Sequence, residues 1–148
     1  MKKVTLIISL LSLLLLGACS TNSTPTGSTS ALSASSQAPA AQVVKLTAEE
    51  AYARMADNEE AVVLDVRTAE EYAEKHIPGA ILIPNEEIGS VPPQQLPALD
   101  AEILVYCRSG NRSAQAAQKL VDLGYTNVYD FGGIKDWPYE TEAGEFVG

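Results

Sequence analysis

The chain has 148 residues, 46% apolar, 6% aromatic and 20% charged, with 10 basic against 19 acidic residues and a net charge of −9. That length suits one domain with appendages, and an acidic balance disfavours nucleic acid as the main partner, because phosphate binding needs a basic excess. Two cysteines and one histidine exclude a disulfide-dense scaffold, a four-thiolate metal site and any site needing two imidazoles from this chain.

Lys2 and Lys3 open a basic segment, and residues 4–16 follow with ten apolar and three hydroxyl residues and no charge. A bilayer-spanning helix wants about 20 residues, so this stretch reads as the hydrophobic region of a signal peptide. Leu16-Gly17-Ala18-Cys19 resembles a bacterial lipobox. The resemblance implies a lipoprotein signal peptide over residues 1–18, a diacylglyceryl group on Cys19, and an extracytoplasmic chain that meets the cell membrane through its lipid alone. Without residues 1–18 the chain holds 8 basic and 19 acidic residues, a net −11, so its body adds no attraction to anionic headgroups. Residues 20–36 contain eleven Ser or Thr out of seventeen, too little apolar surface to offset chain entropy. Residues 19–42 are therefore expected to be the lipidated cysteine and a disordered linker, with a reach of roughly 25 Å. Residues 43–148 are expected to fold as one domain.

Within that domain, Thr47-Ala-Glu-Glu50 has the capping-box pattern and predicts a helix over about 48–57. Ala61–Val66 is an apolar run that suits a strand buried on both faces. Thr68-Ala-Glu-Glu71 is a second capping box, opening a helix toward Lys75, which Ile77-Pro78-Gly79 ends. Ala80–Ile83 reads as a strand, and Pro92, Pro93 and Pro97 mark a loop region. Ile103–Tyr106 reads as another buried strand, followed by a helix over about 113–123 with Gly124 as its left-handed cap, and Val128-Tyr129 as a last short strand. Such βα alternation predicts an α/β domain with a parallel sheet.

The chemistry-bearing stretch is Cys107-Arg-Ser-Gly-Asn-Arg-Ser113, placed between a buried strand and a helix. Ligands of open α/β sheets bind beyond the carboxyl ends of the strands. There the loop N–H groups and the helix N-terminus attract anions. Gly110 lets the backbone turn, and Arg108 and Arg112 add positive charge. These features favour the thiolate of Cys107, with a pKa below the free value of about 8.5, and the thiolate is the nucleophile.

The motifs together resemble the rhodanese-like sulfurtransferases. Leu64-Asp-Val-Arg67 with Glu70-Glu-Tyr72, His76-Ile-Pro-Gly-Ala80, the Cys107–Arg112 loop, Gly124-Tyr125, and Gly132-Gly133 before Trp137 follow that family's order. The resemblance implies an α/β rhodanese-like fold: a five-stranded parallel sheet flanked by helices on both faces. It implies that Cys107 takes the sulfane sulfur of a donor such as thiosulfate, becomes a persulfide, and passes the sulfur to a thiophilic acceptor. It assigns donor binding to Arg108, Ser109, Gly110, Asn111, Arg112 and Ser113. The implied partners are a small anionic sulfur donor, a thiol acceptor and an extracytoplasmic redox or sulfur-carrier protein, with no cofactor.

Two other readings compete. A rhodanese-like module can bind or carry sulfur without turnover, although such modules typically lose the cysteine kept here. Cysteine phosphatases and arsenate reductases need five residues between Cys and Arg, whereas only four separate Cys107 from Arg112. The remaining polar residues read as structural support. Asp65 and Arg67 are expected to fix the loop after the second strand of the domain, with Arg67 reaching Glu71 one helical turn on. His76 is expected to hold a turn, and Trp137 to fill the core beside the active loop. The glutamates of residues 49–74 form a solvated face with no calcium-loop spacing, so no metal is expected.

Overall fold

The computed structural model describes residues 41–96 and 98–148. The expected signal peptide 1–18, Cys19 and nearly all of the expected linker lie outside the described residues, as does Pro97. Among the described residues, five strands and three helices follow in chain order. They are β1 (Val44–Lys45), α1 (Ala48–Asp57), β2 (Val62–Asp65), α2 (Ala69–Glu74), β3 (Ile81–Leu82), β4 (Glu102–Cys107), α3 (Asn111–Asp122) and β5 (Asn127–Gly133), with a single 3₁₀ turn at Ile134–Asp136. The sheet order is β1-β5-β4-β2-β3, and every pairing is parallel. This is the rhodanese-like α/β architecture expected from the sequence.

Both capping boxes form. The Glu50 amide donates to Thr47 Oγ1 at 3.2 Å while the Thr47 amide donates to Glu50 Oε2 at 2.8 Å. Thr68 and Glu71 repeat the exchange at 3.3 and 3.2 Å. Each box satisfies two N–H groups that the first helical turn would otherwise leave unpaired.

The central strand β4 has its side chains buried on both faces of the sheet. Ile103, Val105 and Cys107 join the cluster that includes Ala116, Ala117 and Leu120 of α3. Leu104 and Tyr106 join the opposite cluster, with Ala51 of α1, Tyr72 of α2, Phe131 and Trp137. The two-residue period of a strand therefore directs Cys107 to the α3 side of the sheet. Successive apolar residues here mean two covered faces, as in parallel sheets generally.

Element ends differ from the sequence expectation where apolar patterning runs out. β1 is two exposed residues long and carries no apolar run to read. α3 begins at Asn111, two residues early, because Gly110 takes φ 95° at its N-cap without a capping side chain. β5 continues through Asp130 and Gly132-Gly133, residue types that ordinarily mark turns. Asp130 is tolerated there because its buried carboxylate pairs with Lys45 and accepts the Gly132 amide at 2.9 Å, meeting the need of a buried charge for partners.

The end of β5 is also where the fold shapes its loop. Val105 pairs with Asp130 but Cys107 pairs with Gly133, so β5 carries one extra residue, a β-bulge. Gly132 adopts φ 87° there, a conformation that glycine accepts without strain. Gly133 then packs closely against the backbone of Arg108 and Ser109. A Cβ on it would stand 2.6 Å from both Arg108 O and Ser109 Cα. Gly133→Ala must therefore displace the 108–109 backbone. The expected result is a destabilisation of about 1–3 kcal/mol in denaturant titration, with alkylation of Cys107 slowed by about 10²-fold, the scale on which small misplacements act. Unchanged alkylation would show that this packing does not set the loop.

Candidate active site

Cys107 ends β4 and is 1% exposed. Such a cysteine could serve as a small hydrophobe, but its sulfur has polar company. The Gly110 amide donates to Sγ at 3.1 Å. Burial is the largest single influence on the thiol and raises its pKa; the Ser113 amide, the Ser109 amide, the Ser113 hydroxyl and the Gly110 amide together outweigh it, so the net shift is downward. The sequence credited this effect to loop N–H groups, the helix N-terminus and two arginines together. In the structure it falls chiefly to hydrogen bonds from the loop and the first turn of α3, which stabilise the charged form directly.

Ser113 ties this arrangement together. Its Oγ stands 3.1 Å from Gly110 O and 3.2 Å from Gly132 O. Its single proton serves one of these carbonyls at a time, where the active loop, the start of α3 and the β5 bulge meet. Asn111 turns elsewhere: its Oδ1 accepts from Gln115 Nε2 at 2.6 Å, one helical turn on. Arg108 and Ser109 are exposed at the rim.

Arg112 gives both terminal nitrogens to Glu71, at 2.7 and 2.8 Å. This two-pronged pair, formed with α2, anchors α3 and the active loop across the carboxyl edge of the sheet. The Arg112 hydrogen bond is the main reason that the Glu71 carboxyl falls to about 2. A carboxyl lowered on folding stabilises the native state above its unfolded pKa and loses that contribution as pH falls through the folded value. The contribution is thus present above about 4.5 and lost only on approach to about 2.

The expected contact between Arg67 and Glu71 does not form. Arg67 Nε instead donates to Asp65 Oδ1 and Oδ2 at 2.9 and 3.0 Å, and Nη2 donates to Lys75 O at 2.6 Å. The i,i+4 argument requires both residues on one helix. Arg67 precedes the N-cap Thr68, so its side chain leaves in another direction. Glu71 also departs from the expected solvated face, because it is held between the Thr68 amide and Arg112.

His76 and Trp137 are both buried. His76 Nδ1 lies 2.8 Å from Tyr72 O, and its ring stacks on Tyr72 with centroids 3.7 Å apart. Its backbone exchanges two 2.8 Å hydrogen bonds with Glu142. Trp137 packs against Phe131 at 5.5 Å and donates its indole N–H to Glu140 O at 3.2 Å. Among the described residues, no group of three His, Cys, Asp or Glu side chains could hold a metal ion.

Sequence reasoning missed the role of the Gly132-Gly133 bulge, although the glycine pair itself was visible. It also missed Lys75 and Lys135, which line one groove with Arg108 only through the fold.

The description "Rhodanese-like domain" matches residues 47–139. The thiosulfate sulfurtransferase PspE of Escherichia coli is 40% identical over 73 residues, covering 49% of this chain and 70% of that protein. A sulfurtransferase of Allochromatium vinosum is 36% identical over 96 residues, covering 64% and 88%. Among solved structures, the human single-domain sulfurtransferase TSTD1 is 31% identical with a TM-score of 0.55, over 64% of this chain and 93% of that one. An E. coli rhodanese solved with anions is 34% identical with a TM-score of 0.50, over 57% and 99%. With its fold, its loop and more than half its length in agreement, this chain belongs to the rhodanese-like domain family.

Proposed function

We propose that this protein is a sulfurtransferase that moves sulfane sulfur from a donor such as thiosulfate to a thiophilic acceptor through a persulfide on Cys107. The observation that carries the reading is the set of N–H groups around the Cys107 sulfur, which lowers its pKa in spite of burial. An anion held by peptide amides is a poised nucleophile that needs no general base.

In the first step the Cys107 thiolate attacks the outer sulfur of thiosulfate. A Cys107 S–S bond forms, the donor S–S bond breaks, and sulfite leaves with the bonding pair. The terminal sulfur of the new persulfide carries one negative charge, which the amides of Ser109, Gly110 and Ser113 stabilise. Arg108, exposed beside the loop, supplies a cation for the donor oxygens. Arg112 acts as a positioning residue through Glu71. In the second step an acceptor thiolate attacks the terminal sulfur, the Cys107 S–S bond breaks, and the thiolate returns. Similarity to proteins named as sulfurtransferases supports this chemistry. The small loop suits a sulfur atom, and Arg112, with both terminal nitrogens bound to Glu71, suits a structural tie better than a phosphate clamp.

The test is direct. Incubated with thiosulfate, the full chain should gain the mass of one sulfur atom, release sulfite, and lose the added mass on treatment with cyanide. Cys107→Ala should gain nothing. Absence of the added mass in the unmodified protein would overturn the reading in favour of a binding module without turnover.

The lipobox-like segment extends the proposal to location. The domain works outside the cytoplasm, held to the cell membrane by lipid on Cys19, with the Ser/Thr-rich linker as its tether. Two acyl chains hold a protein far better than one. Cys19→Ala should therefore move the protein from the membrane fraction to the soluble fraction after cell lysis. Retention in the membrane fraction would contradict the anchor.

A further inference from the structure

The interior of β5 holds a residue that a parallel sheet does not favour. Asp130 pairs with Lys45 of β1 on one side and with Val105 of β4 on the other, and its side chain is fully buried. A carboxylate there loses its hydration and aspartate is depleted in strands, so an apolar residue would suit the sheet itself as well or better. What the carboxylate supplies is two directed contacts. Oδ2 pairs with the Lys45 ammonium. Oδ1 accepts the Gly132 amide at 2.9 Å, two residues on, which is the pattern of an Asx-turn.

The second contact acts on the bulge. Adjacent glycines have access to both signs of φ, so Gly132-Gly133 alone does not select one conformation. With its amide held by Asp130, Gly132 takes φ 87°. The bulge so fixed lies against three residues of the active loop and α3. Gly132 O is 3.2 Å from Ser113 Oγ. A Cβ on Gly110 would stand 3.5 Å from Gly132 Cα, and a Cβ on Gly133 would stand 2.6 Å from Ser109 Cα. Against the burial that opposes charge on the Cys107 sulfur, these same residues, Ser113, Ser109 and Gly110, supply the amides that favour the thiolate.

We propose that Asp130 is a positioning residue for Cys107: by holding the Gly132 amide it sets the glycine bulge against which Ser109, Gly110 and Ser113 are aligned on the sulfur. It acts through the β5 backbone. Lys45 serves a separate end, since its ammonium meets the charge of the buried carboxylate while its own side chain is 66% exposed. The acceptor oxygen, and not the charge, carries the positioning. A neutral acceptor in the same place therefore does the same work once no ammonium faces it. The proposal deepens the sulfurtransferase reading and rests on it only for the use made of the thiolate. Alkylation reads that thiolate without any sulfur donor, so the two can fail separately.

The test compares the double variants K45M/D130N and K45M/D130V in the full chain. Both lack the ion pair, and exchanging a buried pair for apolar groups is often neutral for stability. The asparagine variant keeps an acceptor for the Gly132 amide; the valine variant has none. Alkylation of Cys107 by a small reagent is followed across pH. With asparagine, the rate at about pH 7 should stay within about twofold of the unmodified protein, because the hydrogen bond is kept. With valine it should fall about tenfold at that pH, the scale of one hydrogen bond to a buried polar group. At about pH 10, where thiols are ionised, the valine variant should reach at least the unmodified rate. A merely loosened fold behaves otherwise, since an exposed sulfur reacts faster at every pH. Equal rates in the two variants, or faster alkylation at every pH with valine, would overturn the proposal.

Discussion

Several peptide N–H groups converge on one sulfur atom, and most of the local structure exists to keep them there. The sulfur is nearly shut off from water, which by itself opposes charge on it. Only hydrogen bonds of fixed direction can offset that penalty, because a solvated loop would relax away from them. Fixed direction requires three elements to meet: the end of β4, the first turn of α3, and the bulged end of β5. Ser113 Oγ, within hydrogen-bond distance of carbonyls from two of these segments, lies where they join.

Polar contacts brace this junction from both sides. The Arg112–Glu71 pair joins α3 to the second capping box. The buried Asp65–Arg67 pair joins the end of β2 to the end of α2 through Lys75 O. A buried ion pair is weak evidence for net stability, yet removing one partner is strongly destabilising, by about 3–5 kcal/mol. The arginines around the loop thus divide the work. Arg67 and Arg112 are spent on geometry, and Arg108 remains free for a ligand.

Much of this was readable before any coordinates. The two Thr-x-x-Glu boxes, the apolar runs of β2 and β4 and the Cys107–Ser113 stretch carry their signals locally, through caps, period and residue type. The order of motifs carried the fold. What escaped was tertiary. Lys45 meets Asp130 across 85 positions, and Arg112 meets Glu71 across 41, so neither pairing has a local pattern. β1 is too short and exposed to show a period. The far end of β5 uses Asp and Gly, which look like a turn until Lys45 and the Gly132 amide are seen to satisfy the acid. The expected Arg67–Glu71 contact failed because sequence spacing was read as helical spacing across a helix start.

The central claim is that peptide hydrogen bonds hold the Cys107 thiol below the ordinary acidity of a cysteine. Its most direct test is the pH dependence of alkylation by a small reagent, followed at Cys107 in the full chain. A lowered pKa makes the reactive thiolate persist as pH falls, so the rate should reach half its maximum below pH ~8.5, the free-thiol value. A midpoint at or above that value, or a thiol inert to the reagent at every pH, would contradict the account.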